Sequence, residues 1–417
     1  MSERAPLHPT LDRIQTPALI AGAVGLLLCA LGFFVSRPQF YLSWLYAYLF
    51  WIGLALGSMA LLMLQHPSGG GWGLAIRRLL ESATRMLPLM ALLFIPIILG
   101  LFVGDEAQPL YVWTDDARRK DLHLDHGFRA AWLSTGFFLL RTAFYFLVWL
   151  VFAFMLNRWS VNQDLRAFDR TESPRAIRRI QRVSGGGLLV YGLTVTFAAF
   201  DWVMSLDPLW YSTMWGVIFL IGQALSTLAL MIVLLSLLSQ VRPLSDFVTT
   251  GHFHDLGNLL LAFTMLWAYV AFSQYLIIWS GNIAEETPYY VYRTNGAWKY
   301  VALALIILHF FVPFVLLLSR RTKRTVRTLT IVALVILAMR FVDLYWTVTP
   351  MWHQARGHAT HFKDIPTSAL PHWLDIAAPV GIGGIWIWLF IGQLRRLPLI
   401  PPHDPRAMEQ REEAHHG

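Results

Sequence analysis

Residues 200–216 read FDWVMSLDPLWYSTMWG and close an apolar run that begins near Gly187. A helix needs about 20 apolar residues to cross a bilayer, so this run predicts a membrane helix with Asp201 inside it. A carboxylate at such a depth costs about 2.5–3.5 kcal/mol on insertion scales. Ser205 lies four residues on, and its hydroxyl is expected on the same helix face. Asp207-Pro208 should end the helix, because proline removes a donor and biases its predecessor away from helical geometry. Trp202, Trp210 and Tyr211 are expected to gather near the interface, where amphipathic rings prefer to sit. Two readings of Asp201 stay open: an acid satisfied by a neighbouring helix, or a proton or ligand site, the default for an intramembrane acid.

The rest of the chain repeats the pattern. Of its 417 residues, 56 % are hydrophobic and only 14 % charged, the composition of an integral membrane protein. The single cysteine, Cys29, excludes a cysteine-ligated iron–sulfur cluster and an internal disulfide. No Cys-x-x-Cys-His occurs, so no c-type haem is attached. The formal charge of +8 does not point to nucleic acid, because the basic residues sit in loops on one side of the membrane. The polar N-terminal stretch lacks a cleavage site after the first apolar run, which is therefore read as a retained helix.

Ten segments reach spanning length: 16–36, 40–64, 84–103, 130–156, 186–206, 214–240, 256–281, 298–319, 326–349 and 374–394. The expectation is an all-α membrane domain over 16–394, between an N-terminal segment 1–15 and a polar tail 395–417. Most of the 33 Lys and Arg fall in the N-terminal segment, the even-to-odd loops and the tail. The loops Arg158–Arg182 and Arg320–Arg324 decide the count, and both termini are placed in the cytoplasm. Between spans 2 and 3, WGLAIRRLLESATR reads as a short interfacial amphipathic helix with Arg77 and Arg78 toward water. The outer loop Gly104–Arg129 is either a docking surface or solvated. A second outer loop, Pro350–His372, carries His353, His358 and His361, read as solvated side chains.

Several polar residues lie within the spans. Arg141 is near the middle of span 4, with Tyr145 on the same face, and His309 is near the middle of span 8. Arg340 and Asp343 on span 9 are three apart and should pair. Gln223 and Gln274 are polar positions on spans 6 and 7. His254 and Asp255 mark the cytoplasmic start of span 7. Ordered by depth, His254 and Asp255 come first, Arg141 and His309 next, and Asp201, Arg340 and Asp343 nearest the outside. Histidines and carboxylates strung across a membrane are what a proton path requires. Plainer readings remain: His309 as a hydrogen-bonded bundle histidine, and Arg340–Asp343 as a structural pair. His309 has no histidine partner at equal depth for haem ligation, and no close ligand spacing predicts a metal site.

Two long stretches, FDWVMSLDPLWYSTMWG and HDLGNLLLAFTMLWAYVAFSQYLIIWSGN, occur with a closing PLIPPHDPR and a terminal His-His. Together they resemble the ActF-type membrane subunits of bacterial alternative complex III, a respiratory quinol:electron-acceptor oxidoreductase. Those subunits are similar to NrfD and the polysulfide reductase membrane subunit, and the resemblance covers nearly the whole chain. It implies two four-helix bundles, spans 2–5 and 6–9, with spans 1 and 10 peripheral, although no repeat between the halves is evident in sequence. It implies a bacterial inner-membrane subunit with no covalent cofactor and with quinone or quinol as its one small ligand. The haems and iron–sulfur clusters would sit on partners: a paralogous quinol-oxidising membrane subunit, an iron–sulfur subunit and haem c subunits, with a terminal oxidase beyond them and membrane lipid around.

Asp201 and Ser205 lie in the first of these motifs, and His254, Asp255, Gln274 and Tyr275 in the second. Arg141, His309, Arg340 and Asp343 rest on the depth argument. The expected role is a non-catalytic or accessory one, a proton path coupled to quinol oxidation on the paralogous subunit. The alternatives are a quinone site built from Trp202, Trp210, Tyr211, Gln274 and Tyr275, or a passive scaffold. An independent transporter is disfavoured, because no paired Gly/Pro-interrupted helices occur.

Overall fold

A hydrocarbon layer satisfies no backbone N–H or C=O, so an apolar chain that enters it must close its hydrogen bonds internally. The computed structural model, which describes residues 9–103, 109–165, 173–357 and 368–400, is helical throughout its regular structure. Ten of its segments are long and apolar enough to cross a membrane, which makes this a multi-pass membrane protein. In order they are Arg13–Val35, Arg37–Ser68, Gly71–Leu99, Thr135–Asp164, Arg178–Leu206, Trp215–Leu238, Thr250–Gly281, Trp298–Leu318, Val326–Ala355 and Leu374–Leu394, numbered spans 1 to 10. Fourteen of the twenty expected boundaries agree within about a turn, and the largest difference is at the start of span 3.

Span 3 begins at Gly71, not near residue 84, and the expected interfacial helix is its first half. Gly69 and Gly70 adopt φ of 69° and 87°, a region that side chains avoid. That freedom lets span 3 start immediately after Ser68. Arg77 and Arg78, expected toward water, are buried at 2 % and 1 % exposure. The physical reason is a set of partners that the local pattern could not reveal. Arg77 Nε donates to Glu81 Oε1 at 2.9 Å and Arg78 Nη1 to Glu81 Oε2 at 2.7 Å. Arg78 also pairs with Asp164 of span 4, and Ser160 donates to Glu81 at 2.6 Å.

Span 2 is the centre of the molecule. It touches spans 1, 3, 5, 6, 9 and 10, and 89 % of its most apolar stretch is buried. Span 6 is the second hub and meets spans 2, 5, 7 and 9. The outward faces of the remaining spans carry Leu27, Leu31, Leu140, Phe154, Leu189, Tyr269 and Ile306, each exposed as lipid-facing side chains should be. The contact of spans 1 and 10 is made by small residues. A methyl group on Gly25 would sit 2.6 Å from Gly381 Cα, and one on Gly22 would sit 2.8 Å from Ile385 N. Lipid tails are as apolar as leucine, so close backbone approach of this kind drives helix association in a bilayer.

The loop after span 3 is neither wholly solvated nor free. Tyr111 and Trp113 are buried at 0 % and 1 %, and the Tyr111 hydroxyl donates to the Trp202 carbonyl at 2.9 Å. Part of the loop thus folds over the end of span 5. His353 lies within the last helix of span 9, Val326–Gly357, while His358 and His361 lie outside the described residues. The tail from residue 401, residues 166–172 of the span 4–5 loop and residues 104–108 also lie outside them.

Candidate functional site

The sequence-predicted polar residues fall into separate clusters, not one string. The first surrounds Asp201, which is fully buried. Arg141 donates Nε to Oδ2 at 2.8 Å and Nη2 to Oδ1 at 2.7 Å, a bidentate pair. Tyr145 donates its hydroxyl to Oδ2 at 2.7 Å. The guanidinium also bonds the Trp132 carbonyl at 3.0 Å and lies 4.0 Å and 4.3 Å from the ring centres of Trp132 and Phe137. Planar bidentate pairing and ring stacking are the two contacts that suit arginine over lysine. Arg141 sits six residues into the helix that starts at Thr135, so it is not mid-membrane but shares the depth of Asp201. Ser205 is on the expected face, yet its hydroxyl donates to the Asp201 backbone carbonyl and leaves the carboxylate alone.

The second cluster lies between spans 7, 8 and 9. Arg340 and Asp343 pair as their spacing predicts, both nearly buried. His309 is fully buried, and neither of its ring nitrogens has a hydrogen-bond partner among the described residues. Its ring meets Trp267 edge to face, with centroids 4.3 Å apart, and the charge of Arg340 acts on it. Trp267 also neighbours Asp343, although its indole nitrogen meets no hydrogen-bond geometry. His309 occupies a π-helical stretch, Leu305–Phe311. Such stretches are rare and recur at functional sites. Gly222 of span 6 lets the guanidinium of Arg340 approach, since an added methyl would collide with its Cζ. Arg340 and Asp343 therefore sit beside His309, and not at a separate outer level.

His254 and Asp255 form a third, exposed pair at the start of span 7, 3.7 Å apart. Among the described residues, no hydrogen bond or ion pair joins this pair, the Asp201 cluster and the His309 cluster to one another.

The aromatic group expected around Asp201 divides in two. Trp202 packs with Phe94, Phe146 and Trp149 at 4.6, 5.7 and 5.7 Å and donates to Thr142 at 3.2 Å. Trp210 stacks on Tyr289 at 4.4 Å. Tyr211 is half exposed. The cause is the end of the helix at Trp202: the chain turns through Met204–Leu206, and the residues after that turn enter another neighbourhood. Gln274 is buried there and accepts from Ser212 at 3.2 Å, while Tyr275 is partly exposed and lies edge-on to Tyr290 at 5.1 Å. Gln223 accepts from Tyr191 at 2.7 Å and ties span 6 to span 5.

Several buried charges, Asp207 and Lys323 among them, escaped the sequence reading, and three of the set have clearly fixed partners. Arg293, in the short helix Pro288–Thr294, donates to the carbonyls of Tyr289, Trp346 and Thr347 at 2.8, 3.2 and 2.6 Å. Desolvation holds it below the ordinary arginine value, and burial pushes the stacked Tyr289 phenol up to about 12. Asp375, in the first turn of span 10, accepts from Ser43 at 2.5 Å, Gln39 at 3.0 Å and the His372 backbone at 2.8 Å. Glu81 is the third. The only available signal was the run PYYVYR before Arg293, an arginine in a setting of tyrosines; an acid in a first turn looks like an ordinary interface residue.

Among the described residues no group of three or more His, Cys, Asp or Glu could hold a metal ion. No protein-family model matches the chain, and no curated protein does.

Proposed function

We propose that this chain is a membrane subunit of a bacterial respiratory quinol:electron-acceptor oxidoreductase of the alternative complex III type. In this reading it contributes a proton path coupled to quinol oxidation on a paralogous subunit. The observation that carries the proton-path half is His309: a fully buried imidazole with no hydrogen-bond partner on either nitrogen among the described residues, beside the buried Arg340–Asp343 pair. Ionisable groups facing a bundle interior mark proton and ion pathways by default, and imidazole can both accept and donate. Arg340 stays charged and gives Asp343 a fixed counter-ion. Asp201, Arg141, Ser205, His254 and Asp255 belong to the same path in this reading. The subunit identity itself rests on the two long motifs. Two closed rounds of contact, through spans 2, 3, 4, 5 and through spans 6, 7, 8, 9, support two four-helix bundles. The basic loops support cytoplasmic termini.

The test is proton translocation by the intact complex in liposomes, followed together with quinol oxidation. His309→Leu removes a side chain with no hydrogen bond among the described residues, and Asp343→Asn removes a charge with little change of shape. The expected result is oxidation that persists while pumping falls. A proton moved against the full potential requires about 2.3 kcal/mol per 100 mV, so even partial loss of coupling lowers the attainable gradient. Persistence of both activities in both variants would overturn the proton path and leave a scaffold. Collapse of both, with the complex assembled, would move the role to quinone binding.

A further inference from the structure

One unfilled space lies away from all of these clusters. A cavity of about 530 Å³ opens between span 3, span 4 and the end of span 10, within the usual range of ligand pockets, about 300–1,000 Å³. Its wall divides by polarity. Pro88, Leu150 and Phe154 form an apolar side, continuous with the lipid-facing surface of span 4, where Leu147, Val151 and Phe154 are exposed. Arg85 and Arg158 are the basic residues of the lining, Arg158 one turn from Phe154, and no carboxylate among the described residues lines the space.

Two of the wall's four neutral polar side chains, Thr84 and Asn157, are already bonded to neighbours. Asn157 donates to Thr84 and the Ala153 carbonyl, both at 2.8 Å, and accepts from Arg85 Nε at 2.9 Å. Arg158 is exposed, lies 5.7 Å from the Phe154 ring centre and makes no hydrogen bond or ion pair among the described residues. Arg78 and Arg396 add positive charge around Arg85. Glu81, the acid whose charge reaches Arg85, is shared already by Arg77 and Arg78. The pocket is therefore apolar toward lipid, cationic at its rim and short of anions. A neutral quinone headgroup would leave both arginine charges unanswered, whereas a phosphate would pair with them.

We infer that this groove is a site for one anionic phospholipid, its phosphate held by Arg85 and Arg158 and an acyl chain lying along Leu150 and Phe154. Basic pockets between membrane helices take acidic headgroups in this way. The site is separate from the proton-path reading and does not depend on it.

The test is lipid retention by the purified full-length chain, read by native mass spectrometry after exchange into detergent with phosphatidylglycerol or phosphatidylcholine of identical acyl chains. The expected result is preferential retention of one phosphatidylglycerol. Arg158→Gln should weaken it about fivefold, and Arg85→Gln with Arg158→Gln together should weaken it on the order of twenty-fivefold, at about one surface-arginine interaction each. Retention of phosphatidylcholine should not change in either variant. Arg158→Gln breaks no hydrogen bond or ion pair among the described residues, so its folding is not at risk and its result stands alone. Equal retention of the two lipids, no effect of Arg158→Gln, displacement by inorganic phosphate at matched concentration, or preferred retention of a ubiquinone analogue would each overturn the assignment.

Discussion

Replacing Arg141 with leucine isolates a carboxylate that the fold has buried completely. Asp201 would lose two charge-assisted bonds, at 2.8 and 2.7 Å, and keep the Tyr145 hydroxyl. Each such bond is worth about 1.5–3 kcal/mol, and removing one partner of a buried pair costs about 3–5 kcal/mol. Arg141→Leu should therefore destabilise by about 3–5 kcal/mol. Asp201→Asn should cost less, about 1–3 kcal/mol, because the amide oxygen still accepts and the guanidinium keeps the Trp132 carbonyl and two ring faces. The combination Arg141→Leu with Asp201→Leu removes both charges and should return to within about 1–2 kcal/mol of the parent, since apolar replacement of a buried pair is often neutral. The assay is reversible unfolding of the protein in mixed micelles by titration with sodium dodecyl sulfate, with equal transition slopes required across the set. A double variant no more stable than Arg141→Leu alone would refute the reasoning, because it would show that the isolated carboxylate is not what the single variant suffers from.

Other substitutions separate packing from charge. Gly222→Ala should cost about 1–3 kcal/mol in the same titration, as overpacked sites do, because the methyl must displace the Arg340 guanidinium. Glu81→Gln leaves Arg77 and Arg78 sharing Asp164 and neutral partners; a loss of about 3–5 kcal/mol is expected, read as a sharp fall in folded yield, whereas an exposed arginine pair would show almost none. Cys29, buried at 1 % exposure, should stay unlabelled by N-ethylmaleimide in mild detergent and react fully once the protein is unfolded, a contrast readable by mass.

The spans were legible because their signal is a bulk property. About 20 consecutive apolar residues make one statement, and neighbours need not be known to read it. Arg340 with Asp343 was legible for a related reason, as three positions on one helix fix which side chains meet. What escaped was decided between helices. Asp201 and Arg141 are 60 positions apart, and nothing along either helix announces the other. Arg77 and Arg78 form an amphipathic pattern with a polar face, and polarity alone does not say whether that face meets water or Asp164 and Ser160. Trp202 and Trp210 are close in sequence but part company where the helix ends, so proximity along the chain misled about proximity in space. The orphaned nitrogens of His309 had no sequence signal at all, because an absent partner leaves no trace in the residues that are present.

The glycine seam between spans 1 and 10 sets an order of events during synthesis. Gly22 and Gly25 are made long before Gly381 and Gly384, and neither half of the seam can close until both are in the bilayer. Span 1 must therefore wait at the rim of a growing bundle, held through span 2 alone, while eight further helices insert. Its bare backbone stripe stays uncovered during that interval, and the arrival of the last helix is what closes it.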